Sequence, residues 1–401
     1  MTTRIYYTDP ACTEFDAVVT RALEHDGRPA AALERTAFYP TSGGQPYDTG
    51  RLGDADVVDV LEDGDGVVVH VLSAALPEGT RVAGRVDWQR RFDHMQQHTG
   101  QHVLSAAFDR LFGNRTMSFH MGTTVSTIDL AREMASGEID RAVAEANRVV
   151  FENRPVSIRF VSEEEAARLP LRKEPVRAGA LRLIEVQDFD LSACGGTHVA
   201  RTGAIGLIAV LGAERFRGGL RVSFVCGGRA LAAFDAHRKA LAGVVKQLSV
   251  LPDELPAAVG RLHGEARDLR KTIGRLQEAL AGHEAERLLA GATAIRDTRA
   301  VHAVLEGWDA GGLKSIASAA ITRPGVSVAF VSAPAPSAVV IARSPGVGVD
   351  ANRILRELAA MFHGRGGGKP ELAQGGGFDA PPEEILAAAR KLLESALTSD
   401  S

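Results

Sequence analysis

The stretch RFDHMQQHTGQHVLSAAFDRLF, residues 91 to 112, decides the fold of the chain around it. Five of its positions recur at helical spacing and predict a helix; they are Met95, His98, His102, Leu104 and Leu111. His98 and His102 stand four residues apart, so both imidazoles lie on one helix face and can reach one ion. On its own such a pair is more typical of ordinary helix residues than of metal ligands, since His94 lies in the same stretch.

A second motif, CGGTH, occupies residues 194 to 198 and repeats the four-residue separation. The two glycines inside it let the backbone turn sharply, so that Cys194 and His198 can point at one place. Three imidazole nitrogens and one thiolate suit tetrahedral zinc better than a redox metal. A zinc peptidase is excluded, because Thr99 stands where that class requires glutamate. A purely structural zinc stays open as an alternative.

Residues 1–90 alternate short β-rich runs with Gly, Pro and Asp turns, which predicts a small antiparallel barrel or sandwich. From 91 to 230 the pattern mixes helix with antiparallel sheet. Besides the helix of the first motif, it predicts a helix over 137–153. Three strands are predicted there as well, with the sequences VSIRFV, ALRLIEV and AIGLIAVL.

The composition changes near residue 230, and residues 231–295 are predicted to form a helical spacer. Their apolar residues step by alternating fours and threes, which is typical of a coiled-coil seam. The seam consists of Leu255, Val259, Leu262, Ala266, Leu269, Ile273, Leu276 and Leu280. Charged residues fill the remaining positions, so this segment is predicted to be a spacer or a dimer helix.

Residues 296–401 are predicted to form a C-terminal α/β domain, with strands VSVAFVSA and SAVVIARS followed by two helices. Between those helices lies GRGGGKPELAQGGG, residues 364 to 377, which contains seven glycines. Exposed backbone amides in such a segment can cradle phosphate, although a plain flexible loop is an equal alternative. A P-loop is excluded because GK[ST] is absent. The overall fold class is therefore predicted to be α+β.

The totals restrict the class of protein. With 46 basic and 50 acidic side chains in 401 residues the net charge is −4, so any nucleic-acid surface has to be a local patch. Three cysteines are too few for a disulfide framework, and an odd number cannot all be paired within the chain. This cysteine content fits a reducing compartment. The start of the chain does not resemble a signal peptide, and no apolar stretch reaches about 18 residues. We expect a soluble cytoplasmic protein.

Four stretches carry a resemblance to a known family. FYPTSGGQPYDTG (38 to 50), HTGQHVLSAAF (98 to 108), NRTMSFHMG (114 to 122) and SACGGTHVARTGAIG (192 to 206) resemble the editing domain of alanyl-tRNA synthetase. They resemble the free-standing AlaX-type editing proteins still more. The glycine-rich stretch at 364 to 377 is similar to the end of the synthetase's C-terminal, DHH-associated domain.

The resemblance implies a long-form AlaX-type protein, in which residues 91–230 form a zinc-dependent editing domain and 296–401 the DHH-associated domain. Such a protein deacylates mischarged Ser-tRNA(Ala), and by extension Gly-tRNA(Ala), in trans. Because the editing motifs begin by residue 38, there is no room before them for an aminoacylation domain, and we expect no charging of tRNA. The alternative is a tRNA-binding protein without turnover, whose zinc only holds the fold.

The resemblance also implies roles for individual residues. The zinc ligands would be His98, His102, Cys194 and His198, and zinc would either anchor the substrate amine or activate water. In the alternative arrangement, His198 stands back from the ion and handles protons. The substrate pocket would be formed by Thr41, Ser42, Gly43, Gly44 and Gln45, with His120 and Ser118 as lesser members. Thr41 would read the serine hydroxyl, and Thr41, Gln45 and His198 are the predicted catalytic residues.

Contacts with tRNA(Ala) are the last expectation. Basic side chains that could meet phosphate are Arg201, Arg215, Arg217, Arg365 and Lys369, and each could equally be a solvated surface residue. The C-terminal domain would bind the outer corner of tRNA or support dimerisation. A homodimer through the helical spacer or the C-terminal domain is therefore a further expectation.

Overall fold

The computed structural model describes residues 2–172 and 181–398. It divides into two compact units, Met1–Val244 and Val245–Ser401. The finer predicted segments, with bounds at 90, 230 and 295, stay predictions. Among the described helices, none has the length and apolar character that a membrane crossing requires.

The first unit begins with β-structure that closes into a barrel. Its strands are β1 (Thr3–Arg4), β2 (Glu14–His25), β3 (Arg28–Leu33), β4 (Arg35–Thr36), β5 (Gly50–Leu52), β6 (Ala55–Glu62), β7 (Val68–Leu72) and β8 (Arg81–Val86). Six of them form the closed barrel, in the order β2-β3-β7-β6-β5-β8. In β8 the residues alternate between exposed and buried, with Val82 and Val86 directed into the core, as period-two patterning requires. The predicted antiparallel barrel is confirmed.

A buried ion pair ties the barrel to the first helix, α1 (Trp88–Phe112). The Arg91 guanidinium and the Asp48 carboxylate are both fully buried, with 2.5 Å between Arg91 Nη2 and Asp48 Oδ2. Arg91 also donates to the backbone carbonyls of Pro10 and Ala37. Asp48 accepts from the backbone N–H of Tyr39. The pair therefore sets where α1 leaves the barrel.

The helix α1 is central to the first unit. Asp87 caps its start by accepting from two backbone N–H groups, and Gly113 ends it in the left-handed conformation with φ 60°. Every residue from His94 to Phe108 is buried. The predicted helix is confirmed, but its polar face is covered by protein, whereas a surface helix would expose that face to water.

Two antiparallel sheets and three further helices complete this unit. The strands are β9 (Thr116–Met121), β10 (Ser126–Leu130), β11 (Val156–Val161), β12 (Leu181–Val186), β13 (Asp190–Ala193), β14 (Ile208–Phe216) and β15 (Gly219–Cys226). The helices are α2 (Ser136–Phe151), α3 (Glu163–Ala166) and α4 (Gly227–Leu248). One sheet has the order β14-β15-β10-β9 and the other the order β11-β12-β13. The predicted mixture of helix and antiparallel sheet is confirmed.

Predicted boundaries in this region agree in part. VSIRFV matches β11, and ALRLIEV matches β12 except for residue 180, which lies outside the described residues. AIGLIAVL was predicted as one strand from 204 to 211, which is wrong at its start. Residues Thr202–Ile205 form a short 3-10 turn that ends at Gly206 with φ 81°, and the strand begins only at Ile208.

The second unit packs helices against a mixed sheet. Its helices are α5 (Leu255–Ala290), α6 (Ala310–Ala320), α7 (Ala351–Phe362) and α8 (Pro382–Thr398). Its strands are β16 (Thr293–Ile295), β17 (Thr298–Glu306), β18 (Val326–Ala333), β19 (Ser337–Arg343), β20 (Arg365–Lys369) and β21 (Leu372–Phe378). The sheet order is β16-β17-β18-β19-β21-β20, and only β17 and β18 run parallel. They are joined through α6, the usual helical crossover between parallel strands.

The glycine-rich stretch differs from the flexible loop considered above. It forms the hairpin of β20 and β21 at the edge of this sheet. A Cβ atom on Gly366 would lie 2.4 Å from the carbonyl oxygen of Gln374, and one on Gly368 would lie 2.3 Å from that of Leu372. Glycine is therefore needed for the two strands to approach, and the stretch is ordered β-structure.

Within the predicted spacer, residues Leu255–Ala290 form α5, a continuous helix of 36 residues. Seven of the eight seam residues are exposed. The exposed fractions of the six large ones range from 42% for Val259 to 64% for Leu269. Near its end α5 buries Ala281 and Ala285 against the core of the second unit. The coiled-coil dimer stays a prediction.

Candidate metal centre

Four side chains from the two sequence motifs meet in the first unit. His98 and His102 come from α1, and Cys194 and His198 come from the turn after β13. One nitrogen or sulfur atom of each lies within 4.8 Å of the others. Cys194 Sγ is 3.4 Å from His98 Nε2 and 3.4 Å from His198 Nε2. The two distant motifs therefore form one cluster that could bind a metal ion.

Hydrogen bonds at the far side of each ring fix its orientation, beginning with His98. The Nδ1 atom of His98 lies 2.7 Å from Gln45 Oε1 and donates to it, which leaves Nε2 for the cluster. Gln45 is held in turn by the backbone N–H of Thr197 and by the Thr197 hydroxyl. Such outer hydrogen bonds fix the tautomer and the direction of a metal-binding histidine.

His102 is oriented by a buried carboxylate. Its Nδ1 atom lies 3.0 Å from Oδ2 of Asp190, and the other oxygen of that carboxylate, Oδ1, lies 2.5 Å from Nε of Arg172. Burial alone raises the pKa of Asp190, but the hydrogen bond from His102 and the charge of Arg172 outweigh it, so the pKa is lowered and the carboxylate is ionised. At zinc sites, a carboxylate commonly accepts a hydrogen bond from a histidine whose other ring nitrogen binds the metal ion.

His198 is oriented by Thr99, the residue that follows His98 on α1. The Thr99 hydroxyl oxygen lies 3.2 Å from His198 Nδ1 and accepts from the backbone N–H of Val199 at 3.1 Å. Burial lowers the pKa of His198 to about 3, although the Cys194 thiolate opposes this shift. The ring is therefore neutral at ordinary pH, as a metal ligand has to be.

Cys194 is held as a thiolate. Burial alone raises the pKa of a thiol, but His98 and His198 lower it more, so the pKa of Cys194 lies well below its usual value. Its sulfur also accepts from the backbone N–H of Gly196 at 3.4 Å. The thiolate is the form of cysteine that binds metals.

The turn between Cys194 and His198 needs a residue without a side chain. A Cβ atom on Gly196 would lie 2.2 Å from His98 Cε1, so only glycine lets the turn approach α1. Arg182 stabilises the same turn, because its Nη1 donates to the carbonyl oxygens of Cys194 and Gly196. The backbone of the turn is thus fixed before any ion binds.

A cavity of about 370 Å³ opens on the cluster. His98, His102 and Cys194 line it on one side, and Ser42, Gly43 and the β9 residues Thr116 to Phe119 line the other. The ring of Phe119 packs on His98, with 5.3 Å between the ring centroids. The volume suits a small substrate group, since ligand pockets range from about 300 to 1,000 Å³.

Comparisons with known proteins give matches over three stretches of the chain. Family models match at residues 14–90 (tRNA synthetases class II (A)), 181–221 (Threonyl and Alanyl tRNA synthetase second additional domain) and 297–399 (DHHA1 domain). Alanine–tRNA ligase of Pyrococcus abyssi is 32% identical over 93% of this chain and 42% of that protein. The enzyme of Halobacterium salinarum is 36% identical over 100% of this chain and 45% of that protein. 

This chain carries alanyl-tRNA synthetase-related domains. It spans less than half the length of these curated relatives. Among solved structures, it is similar to the C-Ala domain from Aquifex aeolicus alanyl-tRNA synthetase. That similarity is 27% identity over 27% of this chain and 98% of that chain, with a TM-score of 0.25.

The YPTSGGQ segment of this synthetase-related chain lies partly at the cavity. Ser42 and Gly43 line it. Gly44 has φ 85° and packs on β9, where its carbonyl accepts from the Met121 N–H. Thr41 is exposed, and its hydroxyl oxygen accepts from the backbone N–H of Tyr47. Its predicted contact with a serine hydroxyl stays a prediction.

Three other predicted residues lie at or near the cluster, and their roles stay predictions. Gln45 is fully buried, and its contacts with His98 and Thr197 suit a positioning residue, so direct participation in catalysis stays a prediction. Ser118 lines the cavity and donates to Asp129. His120 is exposed and lines a neighbouring cavity.

The predicted tRNA-binding residues are all exposed. Arg201 donates to the backbone of Asn153, and Arg215 pairs with Glu133. Arg217 stacks on Phe216, with 5.0 Å to the ring centroid. Arg365 and Lys369 begin and end β20. Phosphate contact by these side chains stays a prediction.

Sequence reasoning missed the residues that orient the ligands. Asp190, Thr99 and Arg182 are buried or nearly so, and each contacts the cluster or the turn that carries it. Of the three, only Asp190 could have been found from the sequence. It precedes Cys194 by four residues, which is the spacing within both motifs. The other two were hidden because threonine and arginine are common at exposed positions.

Proposed function

We propose that this chain hydrolyses the ester that joins serine to the terminal adenosine of mischarged tRNA(Ala), and that it accepts Gly-tRNA(Ala) as well. We further propose that it acts in trans, on tRNA already released from a synthetase, as AlaX-type editing proteins do. The observation that carries the proposal is the His and Cys cluster, which opens on a small cavity and lies partly within the match to the second additional domain.

An aminoacylation pocket shaped for alanine also admits serine, so hydrolysis of the mischarged tRNA is needed. A pocket of that kind rejects an added hydroxyl by only about 100-fold, whereas translation needs about 10⁴ to 10⁵. A second site can use polar groups that only serine satisfies, because a buried polar group left without a partner costs about 1–3 kcal/mol. Ser42, at the edge of the cavity, offers one such group, and Thr41 stays our proposed reader of the hydroxyl.

The cluster fits zinc by its geometry and its chemistry. With bonds of about 2.0 to 2.3 Å, a tetrahedral zinc ion sets its ligand atoms about 3.3 to 3.6 Å apart. The 3.4 Å from Cys194 Sγ to the Nε2 atoms of His98 and His198 lies in that range. We propose that His98, His102, Cys194 and His198 hold it. When bound, zinc would supply a Lewis acid that polarises the ester or lowers the pKa of water.

The protein's own residues perform the remaining tasks. Gln45 and Asp190 hold two histidines in the orientation that faces the cavity. Phe119 and Met117 supply apolar walls beside the cluster and help to exclude water from the ester. The exposed Arg115 lines the same cavity and offers charge to the terminal phosphate of the RNA. Arg201, Arg217, Arg365 and Lys369 are proposed to meet phosphates farther along tRNA(Ala).

A second candidate is a tRNA-binding protein whose zinc is structural. The observation that favours it is the presence of four protein ligands within 4.8 Å, because a catalytic zinc usually keeps one position open. In that case the cluster would stabilise the first unit, and the cavity would bind an aminoacyl group without hydrolysing it.

Incubation of the purified protein with Ser-tRNA(Ala), Gly-tRNA(Ala) and Ala-tRNA(Ala) separates the two candidates. We expect release of serine well above the uncatalysed rate, slower release of alanine, and loss of serine release after chelation of the metal. If protein that contains stoichiometric zinc releases all three amino acids only at the uncatalysed rate, the hydrolase function is excluded and the tRNA-binding function is favoured.

A further inference from the structure

A second cavity, of about 670 Å³, lies beside the metal centre in the first unit. It is formed where the barrel, α1, β9 and the start of α4 meet. Six of the residues that line it are Pro46, Arg90, Asp93, His94, His120 and Arg229. None of these six residues lines the first cavity.

Part of this lining is already satisfied by internal contacts. Arg229 Nη2 lies 2.6 Å from Asp93 Oδ2, and Arg229 Nη1 donates to the carbonyl oxygen of Gly122 at 2.8 Å. Asp93 also accepts from Gln97. These groups form a fixed polar wall in which positive and negative charge balance, so the specificity of the cavity has to come from other residues.

His94 is buried and has an unused hydrogen-bonding atom. Its side chain lines the cavity while the residue is only 3% exposed, and within the described residues its Nδ1 has no hydrogen-bond partner. Burial lowers the pKa of His94 to about 4, so the ring is neutral at ordinary pH. Nδ1 has almost no accessible surface, so a ligand in the cavity would meet this ring at Nε2, for which the described residues show no hydrogen bond.

Arg90 adds a positive charge with free donors. Its Nε donates to the carbonyl oxygen of Tyr47, and its guanidinium lies over the Tyr47 ring, 5.2 Å from the centroid. In the part of the chain that the structure describes, its Nη atoms have no hydrogen bond and no ion pair. A half-buried guanidinium fixed in this way suits a phosphate, because its planar donors match phosphate oxygens.

The position of this cavity relative to the metal centre suggests the ligand. His94 precedes His98 by four residues, so the two side chains lie about one helical turn, roughly 5.4 Å, apart along α1. Pro46 lines the second cavity, and its neighbour Gln45 holds His98. Phe119 of β9 lines the first cavity and the adjacent His120 lines the second. The two cavities are therefore close enough for consecutive nucleotides of one RNA strand to occupy them.

We propose that the second cavity binds the nucleotide that precedes the terminal adenosine of the tRNA, with His94 bonded to the base and Arg90 to the phosphate. This inference rests on the proposed function, because it takes the terminal adenosine to lie at the metal centre. The cavity thus recognises the RNA portion of the substrate, while the metal centre handles the aminoacyl ester.

Binding of two non-hydrolysable ligands tests the inference. One is adenosine that carries serine as an amide on its ribose, and the other is the cytidylyl-adenosine dinucleotide with the same amide. Calorimetry on the zinc-loaded full chain should give about tenfold or tighter binding of the dinucleotide, since each charge-assisted contact contributes that much. Equal dissociation constants for the two ligands would overturn the inference.

Two variants locate the gain in affinity. Arg90→Gln should remove most of the advantage of the dinucleotide and leave the affinity for the adenosine amide unchanged. Arg141→Gln is the matched control, because Arg141 also lies over an aromatic ring, that of Phe112, but lines neither cavity. A dinucleotide advantage that survives in Arg90→Gln would exclude this cavity as its source. Failure to hydrolyse Ser-tRNA(Ala) would instead count against the proposed function alone.

Discussion

Replacing Cys194 with alanine is expected to abolish zinc binding and hydrolysis of Ser-tRNA(Ala) together. Cys194 is the thiolate of the cluster and lies 3.4 Å from two of its nitrogens. Loss of an outer hydrogen bond already costs about 10–100-fold in metal affinity or activity at comparable sites. Loss of a ligand should cost more, so we expect zinc below one tenth of an equivalent and no serine release above the uncatalysed rate.

Zinc content by elemental analysis and single-turnover deacylation are the two readouts for Cys194→Ala. The matched control is Cys12→Ala, since Cys12 is also a free cysteine of the first unit and its sulfur donates to the backbone carbonyl of Glu14, away from the cluster. The control should keep both zinc and activity. A Cys194→Ala protein that has lost zinc but still hydrolyses Ser-tRNA(Ala) would take the metal out of the mechanism.

Replacing Arg91 with methionine should destabilise the first unit by about 3–5 kcal/mol, because it leaves the Asp48 carboxylate buried without its partner. Both side chains are fully buried, and Arg91 also serves two backbone carbonyls. The free energy of unfolding can be measured by urea denaturation in a Trp308→Phe background. Trp88, the other tryptophan of the chain, then reports on the first unit alone.

Two further proteins test the reason for this loss. Arg85→Met removes an exposed pair with Glu14 and should leave the free energy of unfolding nearly unchanged. The double variant Arg91→Met with Asp48→Asn removes the unpaired charge but keeps an acceptor for the Tyr39 N–H, and should be more stable than Arg91→Met alone. If the double variant is as unstable as the single one, desolvation of the carboxylate is not the cause.

The sequence was informative where spacing alone determines geometry. The four-residue separation of His98 and His102 fixed both on one helix face, and the glycines of CGGTH allowed the turn that brings Cys194 and His198 to them. Alternation of short β-rich runs with turns predicted an antiparallel barrel or sandwich, and the structure shows the barrel. These features depend on local backbone geometry, which neighbouring residues control.

Long-range features were not predictable from one sequence. The partnership of His102 with Asp190 joins residues 88 positions apart, and that of His98 with Gln45 joins residues 53 apart. No local pattern encodes such pairs. The glycine-rich hairpin was obscured for another reason, since glycine disfavours strands in general and is required here only because two backbones approach closely.

The same reasoning explains why the surroundings of Thr41 could not be foreseen. The hydroxyl groups of Thr41 and Ser42 are equivalent in sequence, but only Ser42 lines the cavity, because the turn directs Thr41 toward the Tyr47 N–H. Which of two adjacent hydroxyls faces a substrate depends on the backbone path of the turn. The two residues therefore had to be distinguished by the structure.

The central claim is that two motifs 92 residues apart hold one zinc ion through three nitrogens and one sulfur. X-ray absorption at the zinc edge of the zinc-loaded protein tests it most directly. We predict one sulfur at about 2.3 Å and three nitrogens at about 2.0–2.1 Å. A zinc shell of nitrogen and oxygen alone in the unmodified protein, or failure to retain zinc, would contradict the claim.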